Sequence, residues 1–546
     1  MRLSPMISSQ GRGFLAQAGG ALAIAVLVAG CGDNYRPTVT PVGTSGPASQ
    51  PTSYVVAVSS TGAAANGIVT IIDYSGDSIM TEATIGPGPT AFTLDELGGT
   101  GYTVNSDHTI SNFSITTSLQ TKNVTSSTLS PSANIVNLMP PSSGLWATDL
   151  NGNVVDLFSG SPEGFQKAIP VASSGYSPTL PVYIAGSGSL GGQREYVLSQ
   201  NLGDASTMAC NLTPTDVGAN GVATPIEIAT DTADAPIALD PFAASTGSSN
   251  AQCPVFAVQT PDQLRLFVLN RGSDTISVIN TQTYKLDQCT PFTNQNGQLV
   301  TCHPILPLST TAVNNLTADA AKPNAPTGIP TAPPNGTSGM GTVAGPVYAE
   351  YNAATEQLIV ANYDGGSISV IDVSMDEYGN DSSTFGTTYT ISVGNSATPN
   401  PASVTVLYDG SKAYTANQND GKTNGTVTVV NLSTHTVEKT LTVVGHPRTV
   451  VNTQNSEYSK VYVASPDSPY ITIIESTPTI TDEIDTTVLL EGQPIDIRVT
   501  SQNGSGGNSN YSSRVPGYGQ PCNLSPSAML AKYGAGYSLA NCQTIP

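Results

Sequence analysis

A hairpin that occurs twice almost unchanged constrains the fold of this chain more than any other feature. Residues 264–280 read as an apolar strand, a polar turn and a second strand in which apolar and polar residues alternate. Residues 358–372 repeat this order, with Leu-Ile-Val-Ala-Asn before the turn Tyr-Asp-Gly-Gly and Ser-Ile-Ser-Val-Ile-Asp after it. A supersecondary unit that recurs along a chain of 546 residues predicts a repeat architecture.

The second strand of this hairpin can be traced along the chain in eight copies. They end near Asp73, Ser114, Phe158, Leu212, Asn280, Asp372, Asn431 and Glu475. The closest copies lie about 40 to 45 residues apart, which is the length of a four-stranded propeller blade. Only 10% of the residues are charged, and helical patterns are found only at the N-terminus and near residues 529–533, so an all-β fold is expected.

A second pattern supports this count and indicates how the ring closes. Short apolar strands follow eight prolines: Pro89, Pro131, Pro178, Pro236, Pro346, Pro401, Pro447 and Pro494. The first seven introduce the second to eighth hairpins. The strand after Pro494 has no hairpin, and the first hairpin, from Tyr54, has no such strand. We therefore expect residues 494–500 to complete the first blade, which closes the ring and removes exposed sheet edges.

The best-preserved copies resemble a known repeat. Residues 358–372, together with Val-Val-Gly-His-Pro at residues 443–447, are similar to the YVTN-type β-propeller repeat of exported bacterial and archaeal proteins. The similarity is clear across residues 260–500, weaker across 54–215, and absent from both ends and the insertions. Members of this family often have seven blades. We expect an eight-bladed propeller in this chain, or a seven-bladed one if the weakest copy, at residues 195–212, is not a blade.

Residues 1–30 have the composition of a bacterial lipoprotein signal peptide. Arg2 and Arg12 precede an apolar stretch at residues 14–28, and small residues lead up to Cys31. This order resembles a lipobox, which implies a diacylglycerol on Cys31 and attachment to the membrane through that lipid; the alternative is ordinary secretion. Gly32 favours the outer membrane. Residues 31–53, rich in Pro, Thr, Gly and Ser, are expected to form a flexible tether.

Six cysteines remain in this exported chain, where disulfides persist. Of the possible pairings, proximity in sequence favours Cys210–Cys253, Cys289–Cys302 and Cys522–Cys542. We expect the propeller to span residues 54–501, with an insertion at 281–345 that lacks a strand pattern beyond its cysteine loop. A linker and a small disulfide-bonded segment should follow at residues 502–546.

The charge of the chain excludes one class of partner. The formal net charge is −21 at pH 7, with 18 Lys and Arg against 39 Asp and Glu. A nucleic-acid-binding surface needs clustered Lys and Arg, so no nucleic acid partner is expected. No dinucleotide, phosphate or metal-ligand motif stands in a suitable context, and we therefore expect no cofactor and no metal.

Catalytic side chains are hard to assemble from this sequence. The four histidines stand in unrelated contexts, and each is expected to be structural: His108, His303, His435 and His446. The strands after the prolines should line the central channel, and their charged residues are the candidates for a channel site: Asp95, Asp240, Glu350, Arg448, Asp496 and Arg498. These acids and bases form no recognisable catalytic pattern, so no catalytic residue is assigned.

These observations favour a non-enzymatic binding or scaffold protein of the cell envelope. It would be an outer-membrane lipoprotein, periplasmic or surface-exposed, with a protein or polysaccharide partner bound by the loops or the channel. Two alternatives stay open. One is a propeller enzyme, similar to lactonases or quinone-dependent dehydrogenases, with its site in the channel. The other is a surface adhesion protein that binds calcium through its acidic turns.

Overall fold

The computed structural model is an eight-bladed β-propeller, in which eight small antiparallel sheets form a ring. The predicted all-β class and the count of eight blades are confirmed. The signal peptide, the tether, the segment at 502–546 and four of the cysteines (Cys31, Cys210, Cys522 and Cys542) lie outside the described residues. The structure describes residues 54–500 except 96–97, 116–123, 142–143, 161–162, 172–179, 187–193, 201–219, 294–296, 298, 338, 377–378, 420–423, 454–458 and 477–481.

Each of the first four blades extends from an inner strand at the axis to an outer strand at the rim. Blade 1 contains β36 (Gln493–Val499), β1 (Tyr54–Ser60), β2 (Asn66–Asp73) and β3 (Ile79–Pro87). Blade 2 contains β4 (Pro89–Leu94), β5 (Thr100–Asn105), β6 (Thr109–Ser114) and β7 (Val124–Thr128). Blade 3 contains β8 (Ile135–Met139), β9 (Leu145–Asp149), β10 (Val154–Gly160) and β11 (Glu163–Pro170). Blade 4 contains β12 (Pro181–Gly186), β13 (Arg194–Ser199), β14 (Val222–Glu227), and an outer strand split into β15 (Thr232–Ala233) and β16 (Ile237–Ala238).

The other four blades follow the same order. Blade 5 contains β17 (Pro254–Gln259), β18 (Arg265–Asn270), β19 (Thr275–Asn280), and an outer strand split into β20 (Lys285–Leu286) and β23 (Ile305–Pro307). Blade 6 contains β24 (Pro346–Asn352), β25 (Gln357–Asn362), β26 (Ser367–Asp372) and β27 (Thr388–Ser392). Blade 7 contains β28 (Pro401–Val406), β29 (Lys412–Asn417), β30 (Thr426–Asn431) and β31 (Thr436–Thr442). Blade 8 contains β32 (Thr449–Asn452), β33 (Lys460–Ala464), β34 (Tyr470–Glu475) and β35 (Glu483–Leu489).

The ring closes in blade 1, where the two ends of the propeller pair. Strand β36 runs antiparallel to β1, with Val499 opposite Val55 and Ile497 opposite Ala57. The Thr500 backbone N–H donates to the Tyr54 carbonyl at 2.8 Å. This is the predicted closure, and it pairs the edge that β1 would otherwise expose.

The recurring hairpin forms the two middle strands of each blade. All six residues of β18 are buried, because a middle strand has a neighbouring blade on each face. Four hairpins place the residue before the third strand in the left-handed region, which favours Gly, Asn and Asp. Its φ is 59° at His108, 53° at Asn153, 55° at Asp274 and 59° at Gly366.

The core is divided among the interfaces between blades. Eight apolar clusters of buried side chains each combine residues from two adjacent blades. Between blades 5 and 6, for example, Phe267 packs with Leu358 and Phe385. Each blade is thus stabilised from both sides, and its sheet needs no hydrophobic face toward solvent.

The expectation for Pro236, at the junction of blades 4 and 5, is wrong. Pro236 does not introduce an inner strand; it lies between β15 and β16, in the interrupted outer strand of blade 4. An edge strand tolerates proline because one of its sides needs no ladder hydrogen bonds. The inner strand of blade 5 instead begins at Pro254. The third strand of blade 4 is β14, and the hairpin end expected near Leu212 lies outside the described residues.

The insertion at 281–345 contains more regular structure than its sequence suggested. Residues between β20 and β23 leave the outer strand of blade 5, form the small hairpin β21 (Phe292–Thr293) and β22 (Leu299–Val300), and return. The predicted disulfide Cys289–Cys302 is confirmed and closes this excursion. Cys253 is also disulfide-bonded.

Helices lie in the connections that follow the outer strands of blades 4 and 5. Helix α1 spans Ala243–Thr246 and α2 spans Thr310–Ala320, where Ser309 Oγ accepts from the Ala312 backbone N–H as the N-cap. Phe242 and Leu316 pack together between the two connections. In the described part of the chain, no helix is long and apolar enough to cross a membrane.

Candidate functional site at the mouth of the central channel

The eight inner strands surround the propeller axis, since each contacts the inner strands of both neighbouring blades. All begin on one face, which also carries the turns between second and third strands and which we call the mouth face. Proline is the first residue of the inner strand in five blades, and Ile135 is the first in blade 3. Pro494 is the second residue of β36 in blade 1, and Pro447 lies two residues before β32 in blade 8. In blades 1 to 7, the residue that follows the proline, or Ile135 in blade 3, has no pairing partner on the second strand of the blade and forms a β-bulge.

The seven skipped residues, together with Arg448 just before β32, form the mouth ring of the channel. All eight are partly or fully exposed, whereas the residue before each of them is buried. Six of the eight are aliphatic, one is a threonine and one is an arginine. In blade order the mouth ring is Ile495, Thr90, Val136, Val182, Val255, Val347, Ala402 and Arg448.

The next residue of each strand belongs to a second layer, the inner ring, which joins neighbouring blades. Asn137 Oδ1 accepts from the Ile184 backbone N–H at 3.1 Å, and Ser403 Oγ accepts from that of Val450 at 3.1 Å. In blades 4 to 6 aromatic rings take over this role. The centroid distances are 4.8 Å between Tyr183 and Phe256 and 4.6 Å between Phe256 and Tyr348.

An ion pair lies in the same layer of blade 1. Arg498 Nη2 is 2.7 Å from Asp496 Oδ2, and Thr449 Oγ1 donates to Asp496 Oδ1 at 3.0 Å. The Arg498 and Asp496 side chains are 21% and 18% exposed, so solvent reaches both. The channel therefore has a charged side at blades 8 and 1 and an aromatic side at blades 4 to 6.

The two sides are close enough to influence each other. Burial raises the pKa of Tyr348, and the Arg498 guanidinium opposes part of that rise. Burial alone would lower the pKa of Arg498, but the Asp496 carboxylate raises it, and the Tyr348 and Tyr183 hydroxyls contribute. Since blade 1 faces blade 5 in a ring of eight, Arg498 and the tyrosines of blades 4 and 6 belong to opposite sides of the same channel.

Four of the six charged residues expected in the channel lie on inner strands or next to one. Asp496 and Arg498 form the pair described above, and Arg448 lies exposed in the mouth ring. Glu350 is 2% exposed on β24, where its charge contributes to the raised pKa of Tyr348. The aromatic residues of the inner ring were not predicted, because the sequence search considered only charged side chains.

The other two residues lie on connections rather than inner strands. Asp95 follows β4 and stabilises the turn to β5, where its Oδ1 accepts from the Gly99 backbone N–H at 2.7 Å. Asp240 was expected after Pro236 on an inner strand, but it follows the outer strand of blade 4. Its Oδ1 accepts from the Phe242 backbone N–H, and its Oδ2 accepts from Ser248 Oγ. Both carboxylates therefore hold local structure.

Many other charged side chains join blades on the opposite face. In three cases the basic residue that begins a second strand contacts an aspartate ahead of the outer strand of the next blade. Lys412 Nζ lies 2.8 Å from Asp482 Oδ2, and Tyr414 donates to the same carboxylate at 2.6 Å. The other two pairs are Lys460–Asp77 and Arg265–Asp381. These side chains stabilise the ring and leave few charges for a binding site.

The histidines occupy structural positions. His303 Nδ1 lies 2.8 Å from Asp381 Oδ2 in a buried cluster, and the His435 ring stacks on Tyr389 at a centroid distance of 3.8 Å. On the mouth face, His446 Nδ1 lies 2.5 Å from Asp467 Oδ2. The other ring nitrogen of His446 is buried and has no hydrogen-bond partner among the described residues. It is therefore not presented to solvent as a base.

The acidic turns also hold their own backbone. Asp149 Oδ1, in the turn that most resembles a calcium loop, accepts from the backbone N–H groups of Asn134 and Asn151. Within the described ranges, no group of three or more His, Cys, Asp or Glu side chains is placed to hold a metal ion.

Comparison with known proteins supports the fold. No family model and no curated protein sequence matches the chain. The dihydro-heme d1 dehydrogenase NirN, in complex with DHE, has a similar structure, with a TM-score of 0.53 and 12% identity over 87% of this chain and 79% of that chain. AztD from Citrobacter koseri gives 0.47 and 11% over 82% and 97%, and the periplasmic gluconolactonase PpgL from Pseudomonas aeruginosa gives 0.44 and 12% over 82% and 98%. At such identities the likeness extends to the fold alone.

Proposed function

We propose that the chain is a non-enzymatic binding module of the cell envelope, which holds its ligand or partner on the mouth face. The observation that carries this proposal is the contrast between the two faces. On the opposite face, three basic side chains pair with aspartates of the next blade, as in Lys412–Asp482. On the mouth face, the rigid ring presents partly exposed aliphatic side chains and the exposed Arg448.

The connections that follow the outer strands of blades 4 and 5 also lie on the mouth face, and hydrogen bonds hold them in place. Asn250 Nδ2 donates to Asp319 Oδ2 of α2 at 2.7 Å, and the Asn250 backbone N–H donates to Asp240 Oδ2 at 2.8 Å. This buried network holds both connections in place. Ordered loops on a rigid scaffold are the usual location of binding residues.

The expected partner is a protein or a polysaccharide, and a pull-down from envelope extract with a chain starting at residue 33 tests this. Saturable capture by the wild type should be lost in Arg448→Glu, on the mouth face. It should persist in the matched control Lys285→Glu, which makes the same charge change at an exposed site on the opposite face. Equal capture by both variants would exclude the mouth face as the binding surface.

The same proposal includes attachment to the outer membrane through lipid on Cys31. Cells that express Cys31→Ser should release the protein from the membrane fraction, because a cleaved chain without the acyl chains has no anchor. Retention of this variant in the outer-membrane fraction would contradict the lipoprotein part of the proposal and leave the binding part intact.

A propeller enzyme is the second candidate, and the Asp496–Arg498 pair favours it because solvent reaches both side chains in the channel. A lactonase would hydrolyse a lactone substrate, and Asp496→Asn should then abolish turnover. Absence of turnover by the wild-type protein would remove this candidate.

A further inference from the structure

We infer that the channel mouth binds a small organic monoanion with an apolar body, such as an alkyl or aryl carboxylate. This inference rests on the proposed binding role of the mouth face and names the ligand chemistry of that site. Two observations carry it, namely the state of Arg448 and the composition of the wall opposite.

Arg448 stands apart from the other arginines that the structure describes. Arg194, Arg265, Arg271 and Arg498 each form an ion pair with at least one carboxylate. Among the same residues, Arg448 has no carboxylate partner. Its backbone is fixed, since its N–H donates to the Ala464 carbonyl and its own carbonyl accepts from Ser403 Oγ. The Arg448 side chain is exposed and extends from this fixed backbone, so its guanidinium donors are available to an anion at the channel mouth.

The rest of the mouth ring is suited to an apolar body. Val136, Val182, Val255 and Val347 come from four consecutive blades and are partly exposed. The aromatic residues Tyr183, Phe256 and Tyr348 directly follow three of them in the chain. An occupant that covers these side chains removes apolar surface from water. In a ring of eight, blade 8 faces blade 4, so the guanidinium and this wall stand on opposite sides of one opening.

The charge of the occupant follows from the rest of the protein. A net charge of −21 repels polyanions at long range, and the nearby Arg498 is already neutralised by Asp496. One unpaired guanidinium matches one negative group. A carboxylate fits its fork with two parallel hydrogen bonds, while a neutral amphiphile leaves the guanidinium without a partner.

Isothermal titration of the full folded chain with sodium octanoate tests the inference. We expect saturable 1:1 binding, weaker binding of acetate, which lacks the apolar body, and weaker binding of 1-octanol, which lacks the charge. Arg448→Gln should weaken octanoate binding by about tenfold or more. Val347→Thr should weaken it by a few fold, and the control Lys285→Gln should leave it unchanged.

Absence of octanoate binding to the wild type would overturn the inference, as would equal affinity of the wild type and Arg448→Gln. An equal loss in Lys285→Gln would show general charge attraction and would also overturn it. Melting curves of each variant without ligand establish that it is folded. If octanoate fails while the envelope partner is still captured in an Arg448-dependent way, the ligand chemistry is wrong and the proposed binding function stands.

Discussion

Asp156 offers a sharp test of the energetics of this propeller, because its carboxyl is buried with a second acid nearby. It lies on β10, the third strand of blade 3, and is 7% exposed. Burial raises its pKa to about 6, and the charge of Asp149 adds to the rise. Asp149 Oδ1 itself accepts hydrogen bonds from two backbone N–H groups. Asn at position 156 keeps the shape of the side chain and cannot ionise.

The pKa difference fixes both the sign and the size of the expected effect. An unfolded aspartate titrates near 4, so the folded state binds this proton more tightly by about 2 pKa units. The stability gained from the protonated form is fully present below pH 4 and is lost as the pH rises through 6. The loss amounts to about 3 kcal/mol at pH 7. Asp156→Asn should therefore match the wild type near pH 4 and be more stable by up to ~3 kcal/mol at pH 7.

Differential scanning calorimetry from pH 4 to 8 measures this difference. With an unfolding entropy of about 2.1 cal/mol/K per residue over roughly 450 residues, 3 kcal/mol corresponds to a Tm difference of about 3 °C. The matched control is Asp485→Asn, on the exposed outer strand β35. A Tm difference between Asp156→Asn and the wild type that is equal at pH 4 and pH 7 would refute the reasoning, since only a titrating group produces the pH dependence.

Three further changes test the ring and its connections. Ile497→Asp puts an unpaired charge into the closing strand and should cost several kcal/mol, seen as rapid proteolysis near the termini, while Ile497→Val should resist. A double-mutant cycle with Lys412→Met and Asp482→Asn, measured by urea unfolding, should give a coupling free energy of about 1 to 3 kcal/mol. If the effects of the two substitutions on stability are additive, the ion pair does not stabilise the contact between blades 7 and 8. Replacing both Cys289 and Cys302 with serine opens a loop with a sequence separation of 13 and should lower the free energy of unfolding by about 3 kcal/mol. Reducing agent should then lower the Tm of this variant less than that of the wild type.

The ring was predictable because the information in each hairpin is local. Asn270 ends a second strand. Its Nδ2 donates to Thr275 Oγ1 and Ser277 Oγ, which lie on the strand that returns from the turn. The same set of contacts recurs at Asn362 and Asn417. Interactions between residues fewer than a dozen positions apart require the same residue types in every blade. These residue types therefore recur along the sequence, and the blades can be counted from them.

Where a position depends on register, the sequence was less informative. Pro236 and Pro254 both precede short apolar segments, yet the first lies in an outer edge strand and the second begins an inner strand. Proline is compatible with both positions because each leaves one side of the backbone free of ladder hydrogen bonds. Helix α2 was also missed, although Ser309 ahead of residues 310–320 is a recognisable N-cap.

The chemistry of the channel depends on the number of blades, which the sequence left between eight and seven. Tyr183 and Tyr348 influence the pKa of Arg498 because an eight-membered ring places blade 1 opposite blade 5, with the tyrosines on either side. The weakest hairpin in the sequence, at residues 195–212, belongs to blade 4. Discarding it gives a seven-bladed ring without Tyr183 and Val182, and Arg448 then faces a different wall. The repeat with the least regular sequence therefore decides which side chains meet at the channel mouth.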